Sequence, residues 1–195
     1  MKSLQINRPK ISTVLMIVMV TLLIFSRKAK VWLIAGMMMI GFFKPEIPDL
    51  NSNQKLNPAP AMEIVGINGH TISLQKLKGK VVFVNFWATW CPPCLAELPS
   101  INSLYQKLKN DTNVVFLAID VDNDLSKSSR FLHDKGYTIP VFGGDDVHVP
   151  PSLYANGIPT TLVINKNGEI VFSHFNRANY NGEKFEQFIS ALAKQ

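Results

Sequence analysis

The chain has 195 residues, a formal net charge of +6, two cysteines and four histidines. This length accommodates one domain of ordinary size plus an appendage. Six of the twenty Lys and Arg residues lie before position 44, where no acidic residue occurs, and from position 44 onward fourteen basic residues face fourteen acidic ones. The excess positive charge therefore belongs to the N-terminus, and this distribution argues against a nucleic-acid-binding surface.

The N-terminal region contains two uncharged apolar runs, at residues 11–25 and 31–43, separated by Arg27, Lys28 and Lys30. Both runs are apolar on every face, unlike the helices that cover a soluble core. As a helix the first run would be about 22 Å long, against the ~30 Å of a bilayer core, and basic side chains at its ends can extend to the headgroups. We predict that residues 1–43 form a membrane anchor, with one spanning helix and a second apolar segment.

The topology of this predicted anchor follows from its basic residues, which favour the cytoplasmic side. Residues 11–25 can span with residues 31–43 at the outer interface, or residues 31–43 can span with all six basic residues inside. Both arrangements place the rest of the chain outside the cytoplasm. A hairpin of two spans would return it to the cytoplasm, and a cleaved signal peptide is a further alternative. We expect a membrane anchor with an extracytoplasmic (periplasmic) domain.

Residues 44–57 are rich in Pro and Asn and are predicted to form an extended linker before a domain at residues 58–195. Alternating and continuous apolar patterns, with turn signals such as Asn68-Gly69, place the elements of that domain. The predicted strands are residues 62–65, 71–74, 81–87, 114–121, 139–142, 160–165 and 170–175. The predicted helices are residues 91–108, which contain Pro99, 126–135 and 183–193, with a helical turn at 150–156. This order predicts an α/β fold with a mixed central sheet flanked by helices.

Both cysteines lie in the motif Trp90-Cys91-Pro92-Pro93-Cys94, between a buried strand and a predicted helix. The exposed N–H groups and the dipole at the start of a helix favour the thiolate of Cys91, the form that attacks disulfides. Cys94 lies one turn away, close enough to displace a partner from a mixed disulfide. The motif therefore predicts disulfide exchange, with Cys91 as the nucleophile and Cys94 as the resolving thiol.

Metal ligation has little support in the sequence. The four histidines are scattered and no second Cys-x-x-Cys is present, so we predict no metal site. We also predict no bound organic cofactor, because the two cysteines can carry the electrons themselves. Five aspartates lie near the end of the second buried strand or after a later Gly-Gly pair, but they lack the spacing of a calcium loop. We interpret them as solvated loop charges; they are Asp120, Asp122, Asp124, Asp145 and Asp146.

Three segments resemble the thioredoxin superfamily, and more narrowly its membrane-tethered TlpA/ResA-like thiol–disulfide oxidoreductases. They are Asn-Phe-Trp-Ala-Thr-Trp-Cys-Pro-Pro-Cys at 85–94, Glu-Leu-Pro at 97–99 and Gly-Ile-Pro-Thr-Thr at 157–161. The similarity extends over about residues 58–193. It implies a thioredoxin fold with an N-terminal β-hairpin extension, and reduction of disulfides in protein substrates for cytochrome c maturation or a similar task. It also implies a membrane thiol-reductant transporter as the electron donor.

The resemblance also implies roles for single residues. Pro159 matches the cis-proline opposite the disulfide, where the backbone of Ile158 pairs with a substrate peptide. Glu97 matches an acid/base group that serves Cys94, with an exposed surface glutamate as the alternative. Asn85 stands where thioredoxins carry a buried aspartate, and an amide cannot take up the proton. Around the cysteines, Trp90 is expected to shield the sulfurs.

Pro92 and Pro93 replace the Gly-Pro of thioredoxins between the two cysteines, and we expect them to alter the thiolate pKa and to contribute to substrate binding. Alternatives to a disulfide reductase remain open. A copper-handling protein would use Cys91 and Cys94 as soft ligands, with a third ligand such as His148 or His174. A thiol peroxidase would need an activating residue such as Thr89. A third possibility within the same class is an oxidase or isomerase that uses the same two cysteines.

Overall fold

A computed structural model describes residues 8–25, 36, 44–49, 56–144 and 149–195. The helices are α1 (Arg8–Phe25), α2 (Pro92–Leu108), α3 (Leu125–Asp134) and α4 (Glu183–Lys194), with short 3-10 helices at Leu74–Leu77 and Pro151–Tyr154. The strands are β1 (Asn57–Pro58), β2 (Glu63–Gly66), β3 (Thr71–Ser73), β4 (Val81–Trp87), β5 (Val114–Asp120), β6 (Val141–Gly143), β7 (Thr160–Ile164) and β8 (Glu169–Phe175). Every element predicted for residues 58–195 is present, with ends that differ by at most a few residues. Strand β1 was not predicted, because two residues that include a proline carry no alternating pattern.

Within the described residues the strands form one mixed sheet in the order β1-β8-β7-β4-β5-β6-β2-β3. Strands β4, β5 and β6 run parallel, whereas β7 and β8 continue the sheet antiparallel on the other side of β4. The hairpin β2–β3 turns through Gly69, which has a φ of +77° that favours glycine, and joins the sheet through β6. This is the α/β architecture with a mixed central sheet that the order of elements predicted, and it agrees with the thioredoxin fold that the resemblance implied.

Strand β4 lies in the middle of the sheet, and all seven of its residues are buried. Its side chains alternate between two hydrophobic clusters. Phe83 and Trp87 pack in one cluster with residues of α2 and α4, such as Leu98 and Phe185. The even-numbered residues of the strand, Val82, Val84 and Phe86, belong to the second cluster. By this alternation Asn85 points to the side of Phe83, toward α2.

The N-terminal predictions are only partly within the described residues. Helix α1 has 18 residues, and the apolar side chains described between Ile11 and Val20 are exposed. Within the described residues, no helix has both the length and the apolar character needed to cross a membrane. The second apolar run, 31–43, lies outside the described residues except for Gly36. In the predicted linker, Ile47 packs against the core of the domain.

Candidate active site

The two cysteines lie where the central strand passes into the helix that follows it. After β4 ends at Trp87, Cys91 caps the N-terminus of α2 and Cys94 lies in its first turn. They form a disulfide with an S–S distance of 2.09 Å and a Cα–Cα distance of 5.3 Å. Cys91 is 3% exposed and Cys94 is 0% exposed. A partner disulfide therefore meets Cys91 first, which supports its role as the nucleophile.

The two prolines determine which backbone groups serve the sulfur of Cys91. Pro92 and Pro93 occupy the first two helical positions, where the fixed proline φ suits a helix start. Proline has no N–H, so Cys94 supplies the first available donor, and its N–H donates to Cys91 Sγ at 3.3 Å. The helix N-terminus thus stabilises a thiolate at Cys91 with a single direct hydrogen bond from this turn.

A loop from the other end of the chain lies against the disulfide. The Ile158–Pro159 peptide bond is cis, as the resemblance implied. The carbonyl oxygen of Ile158 lies 3.8 Å from Cys91 Sγ. The loop is held there because β7 follows it at once and pairs with β4, with Thr161 opposite Asn85. The sheet therefore brings positions 91 and 158 together.

Trp90, predicted to shield the sulfurs, lies at the protein surface and is 48% exposed. Its Nε1–H donates to Asp122 Oδ2 at 2.7 Å, and the N–H of Asp122 donates to Asp120 Oδ1 at 3.2 Å. Pro92 and Pro93 are partly exposed beside it. These three side chains form an accessible surface around the entrance to Cys91.

The interpretation of the aspartates as solvated charges is wrong for Asp120. This residue ends β5 and is 1% exposed, because it pairs beside the buried Trp87 on β4. Burial raises its pKa above the usual value, and hydrogen bonds from the Asp122 N–H and the Ser128 side chain act in the opposite direction. Asp122 and Asp124 are exposed as predicted, and Asp145 and Asp146 lie outside the described residues.

Glu97 is fully buried, which excludes the alternative of an exposed surface glutamate. It lies three residues after Cys94 on α2, a spacing that puts both side chains on one side of the helix. Its carboxyl accepts two hydrogen bonds, at Oε1 from Asn85 Nδ2 (2.8 Å) and at Oε2 from the N–H of Ala178 (3.1 Å). A buried carboxyl group is thus fixed from two sides, on the side of α2 that carries Cys94.

Burial dominates the protonation of this carboxyl. Desolvation raises the pKa of Glu97 from 4.5 to about 8, although the hydrogen bonds from Asn85 and Ala178 lower it in part. Tyr180 is also buried, and its pKa lies well above the usual value because of desolvation and the nearby charge of Glu97. Glu97 therefore changes protonation state within about one unit of the ordinary thiol pKa of about 8.5.

Sequence reasoning missed Thr161, Ala178 and Tyr180 as parts of this site. Ala178 and Tyr180 come from the segment between β8 and α4, about eighty residues after Glu97, and no spacing in the sequence connects them. Asn85 did carry a signal, because it is a single polar residue in an otherwise apolar buried strand.

The ligands predicted for a copper site are not brought together in the described residues. No group of three or more His, Cys, Asp or Glu side chains suited to a metal ion occurs among them. His174 lies on β8, opposite Thr161 in the strand register, and His148 is outside the described residues.

A Cys-x-x-Cys disulfide at a strand–helix junction, facing a cis-proline loop in a mixed sheet, defines a thiol–disulfide oxidoreductase of the thioredoxin class. The chain belongs to the Redoxin family, whose profile matches residues 54–187. Within it the chain is TlpA/ResA-like. It is 34% identical over 131 residues to the thiol-disulfide oxidoreductase ResA of Bacillus thuringiensis (strain Al Hakam), which covers 67% of this chain and 73% of that protein. Its identity to ResA of Bacillus subtilis (strain 168) is 35% over 113 residues, 58% of this chain and 63% of the relative.

Solved structures agree with this assignment. A thiol:disulfide interchange protein of the thioredoxin family from Chlorobium tepidum TLS superposes with a TM-score of 0.60 and 25% identity, over 73% of this chain and 99% of the other. StoA from Bacillus subtilis superposes with a TM-score of 0.51 and 26% identity, over 69% of this chain and 98% of the other.

Proposed function

We propose that this protein reduces disulfides in extracytoplasmic protein substrates by dithiol–disulfide exchange at Cys91 and Cys94. The observation that carries the proposal is the placement of the more accessible sulfur, Cys91 Sγ, at a helix N-terminus and 3.8 Å from the carbonyl of Ile158. On one side, the N-terminus of α2 donates a hydrogen bond to Cys91 Sγ. On the other side lies the backbone of Ile158, which an extended substrate peptide can pair with.

In the reducing direction the reaction has two exchange steps. The Cys91 thiolate attacks one sulfur of the substrate disulfide, which forms a mixed disulfide and releases the other substrate sulfur as a thiolate. Cys94 then loses its proton and attacks Cys91 Sγ, which breaks the mixed disulfide and forms the Cys91–Cys94 disulfide. The second substrate sulfur leaves as a thiolate and takes up a proton. Two electrons have passed from the protein dithiol to the substrate.

Glu97 is the proposed acceptor of the Cys94 proton. Cys94 is fully buried, so no bulk water reaches it to take the proton, and Glu97 lies on the same side of α2. Its pKa of about 8 makes it a much stronger base than an ordinary carboxylate, which favours transfer of the Cys94 proton to it. An exposed carboxylate with an ordinary pKa would be too weak a base for this step.

Substrate binding is proposed to use the backbone of Ile158 before the cis-proline Pro159, and the surface formed by Trp90, Pro92 and Pro93. An extended peptide can pair with a free backbone segment in the manner of an added strand, which gives affinity with little dependence on its side chains. The exposed indole of Trp90 supplies apolar contact area beside the substrate cysteine.

The reducing direction and the biological task rest on the family resemblance and on the compartment. An oxidising extracytoplasmic compartment has no soluble pool that keeps dithiols reduced, so the electrons are proposed to come from a membrane thiol-reductant transporter. The proposed task is reduction of protein disulfides in cytochrome c maturation or a similar thiol-maintenance process. The cysteines carry the electrons themselves, so the proposal includes no organic cofactor.

The reduction potential of the Cys91–Cys94 pair tests this direction. We expect a value near that of thioredoxin, about −270 mV, when the full chain is equilibrated with dithiothreitol redox buffers and its thiols are quantified by alkylation and mass spectrometry. A value near that of DsbA, about −120 mV, would make the protein a disulfide donor and contradict the proposal. If no Cys91–Cys94 disulfide formed, copper binding by the two thiols would become the function to test.

We also propose that the N-terminal region tethers the domain to the membrane, with the domain on the extracytoplasmic side. The proposal is supported by the uncharged runs 11–25 and 31–43, by the six basic residues around them and by the exposed apolar side chains of α1. We expect the full chain to sediment with membranes in alkaline carbonate, and a variant that lacks residues 1–43 to remain in the supernatant. A full chain that stayed in the supernatant would contradict the tether.

A further inference from the structure

Asn85 joins the buried carboxyl of Glu97 to the strand behind the cis-proline loop. The side chain of Asn85 is fully buried, and its Nδ2 group donates to Glu97 Oε1 at 2.8 Å and to Thr161 Oγ1 at 3.0 Å. Asn85 and Thr161 are opposite each other in the pairing of β4 with β7, so this bridge is fixed by the register of the sheet. Among the described residues, Asn85 Oδ1 is buried and has no hydrogen-bond partner.

An acid/base group needs neighbours that suit both of its protonation states. An ionised carboxylate accepts hydrogen bonds, whereas a carboxylic acid also needs an acceptor for its O–H. The backbone N–H of Ala178 can only donate, so it can pair with a Glu97 oxygen in either state but cannot accept the O–H of the protonated form. An asparagine amide is neutral at every pH and carries a donor and an acceptor on the same carbon, and a threonine hydroxyl both donates and accepts.

We propose that Asn85 is a positioning residue that, together with Thr161, holds the Glu97 carboxyl in both of its protonation states. In the arrangement observed, Nδ2 donates to Glu97 and to Thr161. A half-turn of the amide presents the unpaired Oδ1 to the O–H of protonated Glu97, and the Thr161 hydroxyl then donates to Oδ1 as well. This inference rests on the proposed role of Glu97, and it explains why a neutral amide at position 85 accompanies a titrating carboxyl at position 97.

The charged surroundings of Glu97 are few among the described residues. Strands β4 and β7 contribute the neutral Asn85 and Thr161, and the segment after β8 contributes the Ala178 N–H and the buried phenol of Tyr180. Helix α2 itself contributes Cys94. A carboxyl group placed at position 85 would therefore act on Glu97 as a neighbouring carboxylate at hydrogen-bond distance.

The test uses Asn85→Asp in the full chain, with two independent readouts. The first is the titration of Glu97 in the oxidised protein, followed by the carboxyl 13C NMR signal. The second is stopped-flow reaction of the reduced protein with dithiobis(nitrobenzoate). Its first phase forms the mixed disulfide at Cys91 and depends on reagent concentration, and its second phase is the attack by Cys94.

We expect Asn85→Asp to raise the pH midpoint of Glu97 by at least about one unit, because two carboxyl groups in contact titrate as a coupled pair. The second phase should shift to higher pH with it, while the first phase is unchanged. Thr161→Val, which keeps the amide but removes its hydroxyl partner, should shift both midpoints by a smaller amount.

A matched control exists on the β7–β8 hairpin, where Asn165 Nδ2 donates to Glu169 Oε2 at 2.9 Å. Asn165→Asp places two carboxyl groups together there and should leave both readouts as in the wild type.

Equal Glu97 midpoints in wild type, Asn85→Asp and Thr161→Val would overturn the inference. Failure of the proposed function looks different, because Glu97→Gln would then leave the second phase unchanged while the 13C titration still measured the effect of Asn85. If Asn85→Asp did not fold, Thr161→Val would decide the matter by the same two readouts.

Discussion

Replacing Cys91 by serine is expected to abolish disulfide exchange, with a loss of at least about 10³-fold, the scale seen when an enzyme nucleophile is removed. A serine hydroxyl is not ionised near neutral pH, even at a helix N-terminus, so it cannot replace the thiolate. Cys94→Ser is expected to keep the first step and to accumulate a mixed disulfide at position 91. Both results can be measured by mass spectrometry after reaction with a disulfide-bonded peptide.

The two serine variants are matched controls for each other, because each removes one sulfur from the same helical turn and leaves the other. Circular dichroism of the reduced proteins should show equal helix and strand content. The order of attack would be wrong if Cys91→Ser formed the mixed disulfide at Cys94 as readily as Cys94→Ser forms it at Cys91. The structure argues against this, because Cys94 is fully buried behind Cys91.

Glu97→Gln is expected to slow the second exchange step by about 10² to 10⁴-fold, the usual contribution of a positioned acid/base group. Glutamine has a similar shape but cannot accept the Cys94 proton. The first step, attack by Cys91, should keep its rate. The two-phase reaction with dithiobis(nitrobenzoate) separates these steps, and an equal loss in both phases would indicate a general structural defect.

The same variant is expected to change how stability depends on pH. The pKa of Glu97 is about 8 in the folded protein against 4.5 for a free side chain, so the folded state binds this proton more tightly than the unfolded state. Its contribution to the free energy of unfolding is fully present below about pH 4.5 and is lost as the pH rises toward about 8. The loss is on the order of 5 kcal/mol, since each pKa unit corresponds to about 1.4 kcal/mol.

Urea unfolding of the oxidised wild type and of Glu97→Gln, at several values between about pH 5 and about pH 9, measures this effect. The slope of the free energy of unfolding with pH is the quantity to compare. A glutamine side chain does not titrate, so its contact with the Ala178 N–H is the same at every pH. Over this range we expect the wild type to lose clearly more stability than the variant, because the other titrating groups, such as Asp120, contribute equally to both proteins. Parallel slopes would show that Glu97 is already ionised at neutral pH.

Local signals in the sequence determined most of the architecture. The continuous apolar run of β4, the Asn68-Gly69 turn and the amphipathic pattern of α4 each depend on neighbours in the chain, so their types and approximate limits were predictable. The cysteine motif was predictable for the same reason, because a Cys-x-x-Cys after a buried strand already contains the nucleophile, the resolving thiol and the helix start that favours a thiolate. The cis peptide at Pro159 was predicted from the family resemblance, because cis bonds are a small minority of X–Pro bonds in folded proteins.

Only the tertiary structure decided how the site is assembled and how its groups ionise. Three features depend on segments that are far apart in the chain. They are the burial of Glu97 and Asp120, the 3.8 Å approach of the Ile158 carbonyl to Cys91, and the bridge from Glu97 through Asn85 to Thr161. No pattern along the chain encodes them, because the alignment of β7 against β4 and the packing of α2 on the sheet create these contacts together. The reacting sulfurs could be identified from the sequence alone. The protonation of Glu97 could not, because a carboxyl pKa depends on how much water the folded structure excludes.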